Sequence, residues 1–261
     1  MIKKILSLLV GIIFIIILSI LIINKNNKKQ IRSIAINQLS KIFTWGFDTK
    51  IICKGKFITT DKIDIVISNH LFLLDSVYLL SIVQMNTKKP IYVIALEHIV
   101  KIPGLKYLVE SDLLIDKDRC IKNLDNINEP CIIFIFPEGE IINNIALKRS
   151  HCYSIDNNLH VFNNILYPRM RGLYQIIKGN KMGNIIDIST YTPDIDWKSI
   201  NSIDTYPYIF KKEIGPIYNI IKTYKIKQKS QWGYDNFKKW FLKIWIKKDI
   251  ILDKYNHKAY E

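Results

Sequence analysis

The sequence is poor in cysteine and contains no pattern that would organise the few it has. Its four cysteines are Cys53, Cys120, Cys131 and Cys152, with no Cys-x-x-Cys pair and no regular spacing among them. This excludes a framework of disulfides of the kind that staples small secreted domains. We interpret all four as reduced thiols in a domain that faces the cytosol.

Sequence signatures of nucleotide and metal sites are also missing. No Gly-rich phosphate loop is present. His98 beside Glu97, and His151 with His160, do not have the spacing of metal ligands. Cys152 directly follows His151, but neighbours in sequence rarely face each other well enough to form a catalytic thiol–imidazole pair. We therefore predict neither a metal nor a bound cofactor.

Acidic residues are outnumbered, with 23 Asp and Glu against 38 Lys and Arg and a formal net charge of +15. This balance suits anionic partners such as lipid headgroups, nucleic acid or the phosphates of CoA. The abundance of Ile, Asn and Lys is also what AT-rich codons would produce, so charge alone does not identify the partner. Because no nucleic-acid recognition motif accompanies it, we do not predict nucleic-acid binding.

Only one apolar run is long enough to cross a bilayer of about 30 Å hydrocarbon, and this is the uncharged stretch Ile5–Ile23. It is longer than a signal-peptide core, and no A-x-A cleavage site closes it. We therefore predict a retained transmembrane anchor over residues 1–24. More positive charge follows the run than precedes it, which predicts a cytoplasmic catalytic side, on an internal membrane such as the endoplasmic reticulum if the host is eukaryotic.

Two further segments have the spacing of amphipathic helices. In residues 25–48 the apolar side chains recur at helical intervals, and they fit either a core-facing helix or one lying at the bilayer interface. Trp232–Tyr255 is a basic amphipathic stretch whose aromatic stripe we expect to pack on its own domain. Between them, apolar strands alternate with helical stretches, which indicates an α/β domain over residues 49–261.

The stretch Ile63–Asp75 organises that domain. Its β-branched run predicts a buried strand that breaks at Ser68-Asn69, and His70 follows directly. Five helical steps would put His70 and Asp75 on different faces of one helix. We therefore place His70 in the loop and Asp75 in the first turns of the next helix, where its carboxylate can turn back to hold one imidazole nitrogen. The other nitrogen is then free to accept a proton, as a general base requires.

A second strand end carries polar chemistry. Cys131–Phe136 is the most apolar strand of the chain, and Pro137, Glu138 and Gly139 follow it. Two polar strand ends on one edge of a sheet are where an α/β protein builds a site.

In these motifs the chain resembles the glycerolipid acyltransferases of the lysophosphatidic acid acyltransferase type. Asn69-His70-x4-Asp75 and Phe136-Pro137-Glu138-Gly139 resemble the first and third motifs, and 101–104 with 114–119 resemble the second. Leu166-Tyr167-Pro168-Arg169 is similar to a stretch of the eukaryotic branch that includes lysocardiolipin acyltransferase. The four motifs occur in the family's order from about Thr49 to the C-terminus.

The resemblance implies a single mixed sheet flanked by helices and transfer of an acyl group from acyl-CoA, as co-substrate, to a membrane lysophospholipid. It implies that His70 and Asp75 are the catalytic residues and that basic side chains bind the lipid phosphate. No protein partner is implied. The substrate-binding residues that it implies are Asn69, Lys101, Gly104, Lys117, Arg119, Phe136, Pro137, Glu138, Gly139 and Arg169.

The chain departs from the family pattern at three places. Leu71-Phe72 follows the histidine where a basic or polar residue is common, Lys117 replaces an arginine, and Glu140-Ile141 stands after the third motif where Thr and then Arg or Asp are usual. These departures leave acceptor choice open. The alternative function is a catalytically inactive lipid-binding or scaffold protein of the same fold, against which the intact His70, Asp75 and Glu138 argue.

Overall fold

The computed structural model of the protein describes residues 2–23, 28–72, 74–96, 114–115, 127, 129–179, 182–200, 213–226 and 232–257. In these ranges the helices are α1 (Ile2–Ile23), α2 (Lys28–Phe47), α3 (Asp75–Asn86), α4 (Asn144–Asp156), α5 (Met170–Gly179) and α6 (Tyr234–His257). The strands are β1 (Ile51–Gly55), β2 (Ile63–Ser68), β3 (Ile91–Val93), β4 (Ala95–Leu96), β5 (Leu114–Ile115), β6 (Ile132–Ile135), β7 (Met182–Tyr191) and β8 (Ile217–Lys225). A 3₁₀ turn covers Trp197–Ser199.

Among the described strands, six form one mixed sheet in the order β1-β8-β7-β2-β6-β3. The β7–β8 pair is antiparallel, and the other neighbouring pairs of this sheet are parallel. The short strands β4 and β5 form a separate parallel pair. The predicted α/β fold with a mixed sheet flanked by helices is therefore confirmed, although the prediction of a single sheet missed this small second one.

The main sheet is covered on both faces, so its central strands are buried along their whole length. Every residue of β2 is buried, as expected for a parallel strand between two layers of helices. Side chains alternate along the strand: Val66 joins a cluster that contains residues of α2 and α3. Ile65 and Ile67 join a second cluster with residues of α5 and α6. This double cover holds the strand ends, and hence the loops that follow them, in fixed positions.

Helix α2 packs its apolar stripe on the domain, which favours the core-facing interpretation. The Phe43 ring lies 5.9 Å from that of Tyr78 in α3 and 6.1 Å from that of Phe72. The rest of the buried stripe consists of Ala35, Ile36, Leu39 and Phe47. The C-terminal stripe also faces its own domain, as predicted, because Phe237, Phe241 and Trp245 of α6 are fully buried.

Helix α1 lies against α2. The Lys4 ammonium lies 5.5 Å from the centre of the Phe47 ring. Ser7 packs against Gly46 so closely that a Cβ atom on residue 46 would come within 2.0 Å of the Ser7 hydroxyl oxygen. In the described part of the chain, no helix combines the length and the apolar character that crossing a membrane requires. The transmembrane anchor predicted over residues 1–24 is therefore not confirmed.

Two differences from the predicted elements bear on the site. Helix α3 begins at Asp75 itself, where we predicted only that this residue lies in the first turns of the helix, because the preceding residues form the loop that the Asp75 carboxylate holds. Helix α4 was not predicted at all; the Asn143 side chain caps it by accepting hydrogen bonds from the backbone N–H groups of Ile145 and Ala146.

Candidate active site

Three neighbouring parallel strands end at the same edge of the sheet and bring the first and third motifs together. His70 follows β2, Phe136 to Gly139 follow β6, and Thr190 lies at the end of β7. Because β2 pairs in parallel with both β6 and β7, their carboxyl ends meet. The site is therefore assembled from loops whose bases are fixed by the sheet.

The central side-chain contact of the site joins His70 to Asp75. The ring Nδ1 lies 2.9 Å from Asp75 Oδ2, and the same oxygen accepts hydrogen bonds from the backbone N–H groups of Leu71 at 2.7 Å and Phe72 at 3.3 Å. Asp75 is fully buried at the start of α3, where the helix dipole favours a carboxylate. Since a carboxylate can only accept, it selects the tautomer that carries a proton on Nδ1. Among the described residues, none hydrogen-bonds to Nε2, and 16% of the imidazole side chain stays exposed.

A second residue fixes the plane of the imidazole. The Phe136 ring is stacked on that of His70, with centroids 4.0 Å apart and planes inclined by 12°. Phe134 in turn meets Phe136 edge-on at 5.0 Å. Asp75 therefore restrains rotation of the imidazole within its plane, and Phe136 restrains its tilt out of that plane.

Glu138 ties three loops together from within the protein. Its Oε2 accepts a hydrogen bond from the His70 backbone N–H at 2.8 Å, and its Oε1 accepts one from the Leu166 N–H at 3.1 Å. The residue is only 2% exposed. Burial raises the pKa of Glu138 to about 7, although the two backbone donors and the charges of His70 and Lys248 act in the opposite direction.

The pKa of His70 is shifted upward by its surroundings. Burial of the ring favours the neutral form and acts to lower the pKa. The charge and hydrogen bond of Asp75, with the charge of Glu138, outweigh that effect, so the pKa lies above its ordinary value. The site thus makes His70 a stronger base than a free imidazole.

The remaining described motif residues shape the loops. The Asn69 side chain is buried and exchanges two hydrogen bonds with the Thr190 backbone, donating to its carbonyl at 2.8 Å and accepting from its N–H at 2.9 Å. This contact indicates that Asn69 positions the histidine loop, and its role in substrate binding stays a prediction. The Arg169 N–H donates to the Pro137 carbonyl at 2.6 Å. Gly139 has a φ of 71°, which favours glycine, and a Cβ there would come within 3.0 Å of the Arg169 side chain.

A buried ion pair beneath the site was not predicted. Lys248 of α6 is 0% exposed, and its ammonium lies 2.7 Å from Asp187 Oδ1 and donates to the Ile188 carbonyl at 2.8 Å. The Ser68 hydroxyl, two residues before His70, donates to that same carbonyl. In the sequence, Lys248 stands in a run of basic residues and gives no sign of burial; a single aspartate inside the apolar strand β7 was the available signal.

The same helix also fixes the loop that carries the fourth motif. The Trp245 indole N–H donates to the Leu166 carbonyl at 2.9 Å. Asp249 accepts from the backbone N–H groups of Asn163 at 3.1 Å and Asn164 at 2.7 Å. Helix α6 therefore sets the position of the loop that donates to Glu138.

A shallow cleft that is open to solvent adjoins the histidine loop. Leu71, Ile142, Trp197 and Leu252 give it apolar walls, and Asn164 and Lys198 add polar groups.

Four of the predicted substrate-binding residues, Lys101, Gly104, Lys117 and Arg119, lie outside the described residues. In the ranges that the structure describes, no group of three or more His, Cys, Asp or Glu side chains is arranged to hold a metal ion.

Comparison with known proteins identifies the class. The family profile described as Acyltransferase matches residues 50–181, just over half of the chain, so the protein belongs to the acyltransferase family. Among solved structures it is similar to the 1-acyl-sn-glycerophosphate (LPA) acyltransferase PlsC from Thermotoga maritima, with 14% sequence identity and a TM-score of 0.58. That similarity covers 98% of this chain and 95% of the other, and at this identity it establishes a shared fold. The resemblance to glycerolipid acyltransferases is thereby confirmed, while the eukaryotic branch stays a prediction.

Proposed function

We propose that the protein transfers a fatty acyl group from acyl-CoA to the free hydroxyl of a lysophospholipid, either lysophosphatidic acid or a related lysolipid. The observation that carries this proposal is the 2.9 Å contact between His70 Nδ1 and Asp75, which leaves Nε2 as the proton acceptor. Membership in the acyltransferase family supports the reaction class. The name of the related Thermotoga maritima enzyme supports a lysophosphatidic acid acceptor.

The reaction needs no covalent intermediate on the protein, because a thioester is already activated. Nε2 of His70 takes the proton of the acceptor hydroxyl as its oxygen attacks the thioester carbonyl carbon. Asp75 stabilises the imidazolium that forms. The tetrahedral intermediate then collapses, the carbon–sulfur bond breaks, and the departing CoA thiolate takes the proton back from the imidazolium. The products are the acylated lipid and CoA.

Glu138 acts in this proposal as a positioning residue. The resemblance implies that it helps to place the glycerol hydroxyl, but its carboxylate is 2% exposed and each oxygen accepts a backbone N–H. We assign it the task of holding the His70 loop against the Leu166 loop.

A membrane location belongs to the same proposal, because the acceptor is a membrane lipid. The exposed apolar side chains of α1 support it: Ile5, Leu6, Leu9, Ile12 and Ile13 are each at least 45% exposed. Apolar surface of this kind is typical of sites that contact a partner or a bilayer.

The test is His70→Ala, assayed by release of free CoA over a panel of lysolipids and acyl-CoA chain lengths. Loss of the base is expected to lower kcat by about 10²–10⁴-fold. His160→Ala is the matched control, because His160 is an exposed histidine whose ring contacts Phe162 and not the site. Wild-type turnover in His70→Ala would contradict the mechanism. No turnover by the wild-type protein over the whole panel, with lysolipid still bound, would favour the lipid-binding alternative.

A further inference from the structure

One carboxylate bridges two arginines at the rim of the site. Glu140 Oε2 lies 2.5 Å from Arg149 Nη2, and Glu140 Oε1 lies 3.4 Å from Arg169 Nη2. Each oxygen of the carboxylate thus meets a different guanidinium. The side chains are 33% exposed for Glu140, 65% for Arg149 and 50% for Arg169, so a solute can reach all three.

The Glu140 bridge lies beside the histidine. Glu140 stands between two residues that contact the His70 backbone: Glu138 accepts from its N–H at 2.8 Å, and Ile142 donates to its carbonyl at 2.9 Å. Arg169 is held in place because its side chain lies against Gly139 and its backbone N–H donates to Pro137. Arg169 and Glu140 are therefore attached to the same loops that contact the proposed base, and Glu140 brings the Arg149 guanidinium to them.

Guanidinium groups bind phosphate and carboxylate in the same way, through forked N–H donors to two oxygens. The Glu140 carboxylate consequently holds the position that a phosphate would take between Arg149 and Arg169. Exposed ion pairs of this kind contribute little stability, so opening the bridge costs little.

We propose that Arg149 and Arg169 bind the phosphate of the acceptor lipid, and that Glu140 occupies this anion site until the phosphate displaces it. The inference rests on the proposed function, names Arg149 as a further binding residue and makes Glu140 a competitor for the acceptor phosphate. The displaced carboxylate carries one negative charge. A phosphomonoester carries close to two at neutral pH and replaces it with a gain in attraction. A phosphodiester carries one and gains nothing, so the chain favours phosphomonoester acceptors.

The kinetic test compares lysophosphatidic acid, a monoester, with lysophosphatidylglycerol, a diester. Glu140→Gln removes the competing charge, and we expect it to lower KM for both lipids by a similar factor of up to about 5-fold, the size of an exposed charge pair, because each lipid has to displace the same carboxylate. The preference for the monoester should remain, because it comes from the charge of the phosphate. Glu129→Gln, an exposed glutamate in the same charge class, is expected to change neither. Equal KM values in wild type and Glu140→Gln for both lipids would overturn the proposal.

Arg149 supplies the second kinetic test. Arg149→Ala should raise KM for lysophosphatidic acid while leaving KM for acyl-CoA unchanged, because the guanidinium faces the acceptor. Arg171→Ala is the matched control, since Arg171 is exposed and lies on α5. An equal rise for both substrates, or no rise for either, would show that Arg149 and Glu140 form a surface ion pair only.

A binding measurement separates this inference from the proposed reaction. Inorganic phosphate is titrated into the full-length protein by calorimetry, with no acyl donor present. We expect tighter binding to Glu140→Gln and weaker binding to Arg149→Ala than to wild type. If phosphate binding follows this order but the protein has no acyl-transfer activity, the anion site is supported and the proposed reaction is wrong. If the wild-type protein is fully active but all three proteins bind phosphate equally, the proposed reaction stands and the proposed anion site is wrong.

Discussion

The imidazole of His70 lies flat against the phenyl ring of Phe136, with ring centroids 4.0 Å apart. The contact joins the ends of β2 and β6, so the aromatic residue of the third motif supports the histidine of the first. Asp75 controls rotation of the imidazole within its plane through the hydrogen bond to Nδ1. Phe136 prevents the ring from tilting away from that hydrogen bond, and the two contacts together aim Nε2.

The stacking predicts a specific effect of Phe136→Leu, which keeps an apolar side chain but removes the flat surface. Misplacement of a reacting group costs up to about 10²-fold in rate, and we expect kcat to fall by about 10-fold or more. The free energy of unfolding should drop by only about 0.5–1.5 kcal/mol, the contribution of an aromatic pair. Steady-state kinetics and urea unfolding measure the two effects. Phe134→Leu serves as the control for core loss, and an unchanged kcat in Phe136→Leu would contradict the positioning role.

The pH dependence of the reaction follows from the upward-shifted pKa of His70. Only the neutral ring accepts a proton, so kcat/KM should rise with pH, with a midpoint above the ordinary histidine value of about 6.5. Asp75→Asn removes the charge that raises the pKa, so its midpoint should move to lower pH. The value of kcat/KM at the high-pH plateau should also fall, by up to about 10⁴-fold, because the tautomer is no longer selected. A midpoint that stays in place, or moves upward, in Asp75→Asn would contradict the assignment.

Much of the site was predictable because it lies where apolar strands end. The bounds of β2 agree with the sequence pattern at both ends, since a run rich in β-branched residues begins at Ile63 and stops at a polar pair. The placement of His70 in the loop and Asp75 in the first turns of α3 followed from helix geometry, because two residues five positions apart cannot share a helix face. The proximity of Glu138 to His70 followed from parallel strand ends meeting at one edge.

Contacts between distant parts of the chain could not be predicted. The pairing of Lys248 with Asp187 depends on how α6 crosses β7, and a lysine in a basic helix reads as a surface charge. The stacking of Phe136 on His70 depends on the register between β2 and β6. Helix α4 escaped prediction because only two of its residues, Ala146 and Ser154, are buried, so it carries almost no apolar period. Its one clear signal was the cap at Asn143.

The buried pair of Lys248 and Asp187 gives a stability prediction. Both side chains are almost fully buried, at 0% and 2% exposure, so removing one partner leaves an uncompensated charge in the core. Lys248→Met is expected to lower the free energy of unfolding by about 3–5 kcal/mol. The double variant Lys248→Met with Asp187→Leu should recover most of that loss, because no charge then remains buried. Urea unfolding measures both, and a double variant no more stable than the single one would show that shape and not charge decides the cost.

Glu138 gives a prediction about stability against pH. Its pKa of about 7 in the folded protein lies above the ordinary value of 4.5, so the unfolded chain loses this proton at lower pH than the folded one. The resulting stabilisation is fully present below pH 4.5 and is lost as the pH rises through about 7. His70 titrates with the same sign in an overlapping range, so its contribution has to be removed first.

The test therefore uses two proteins that both carry His70→Gln, one with Glu138 and one with Glu138→Gln. Their free energies of unfolding are compared. The glutamine places an N–H₂ group where a carboxylate oxygen accepts a backbone N–H, and the variant should be less stable overall by about 1–3 kcal/mol. Its stability should nevertheless change less between pH 4.5 and pH 7 than that of the protein with Glu138, because one titrating group is gone. Denaturant unfolding at a series of pH values gives both slopes. Parallel slopes would show that Glu138 is ionised throughout this range, and that its backbone donors and the Lys248 charge outweigh the effect of burial.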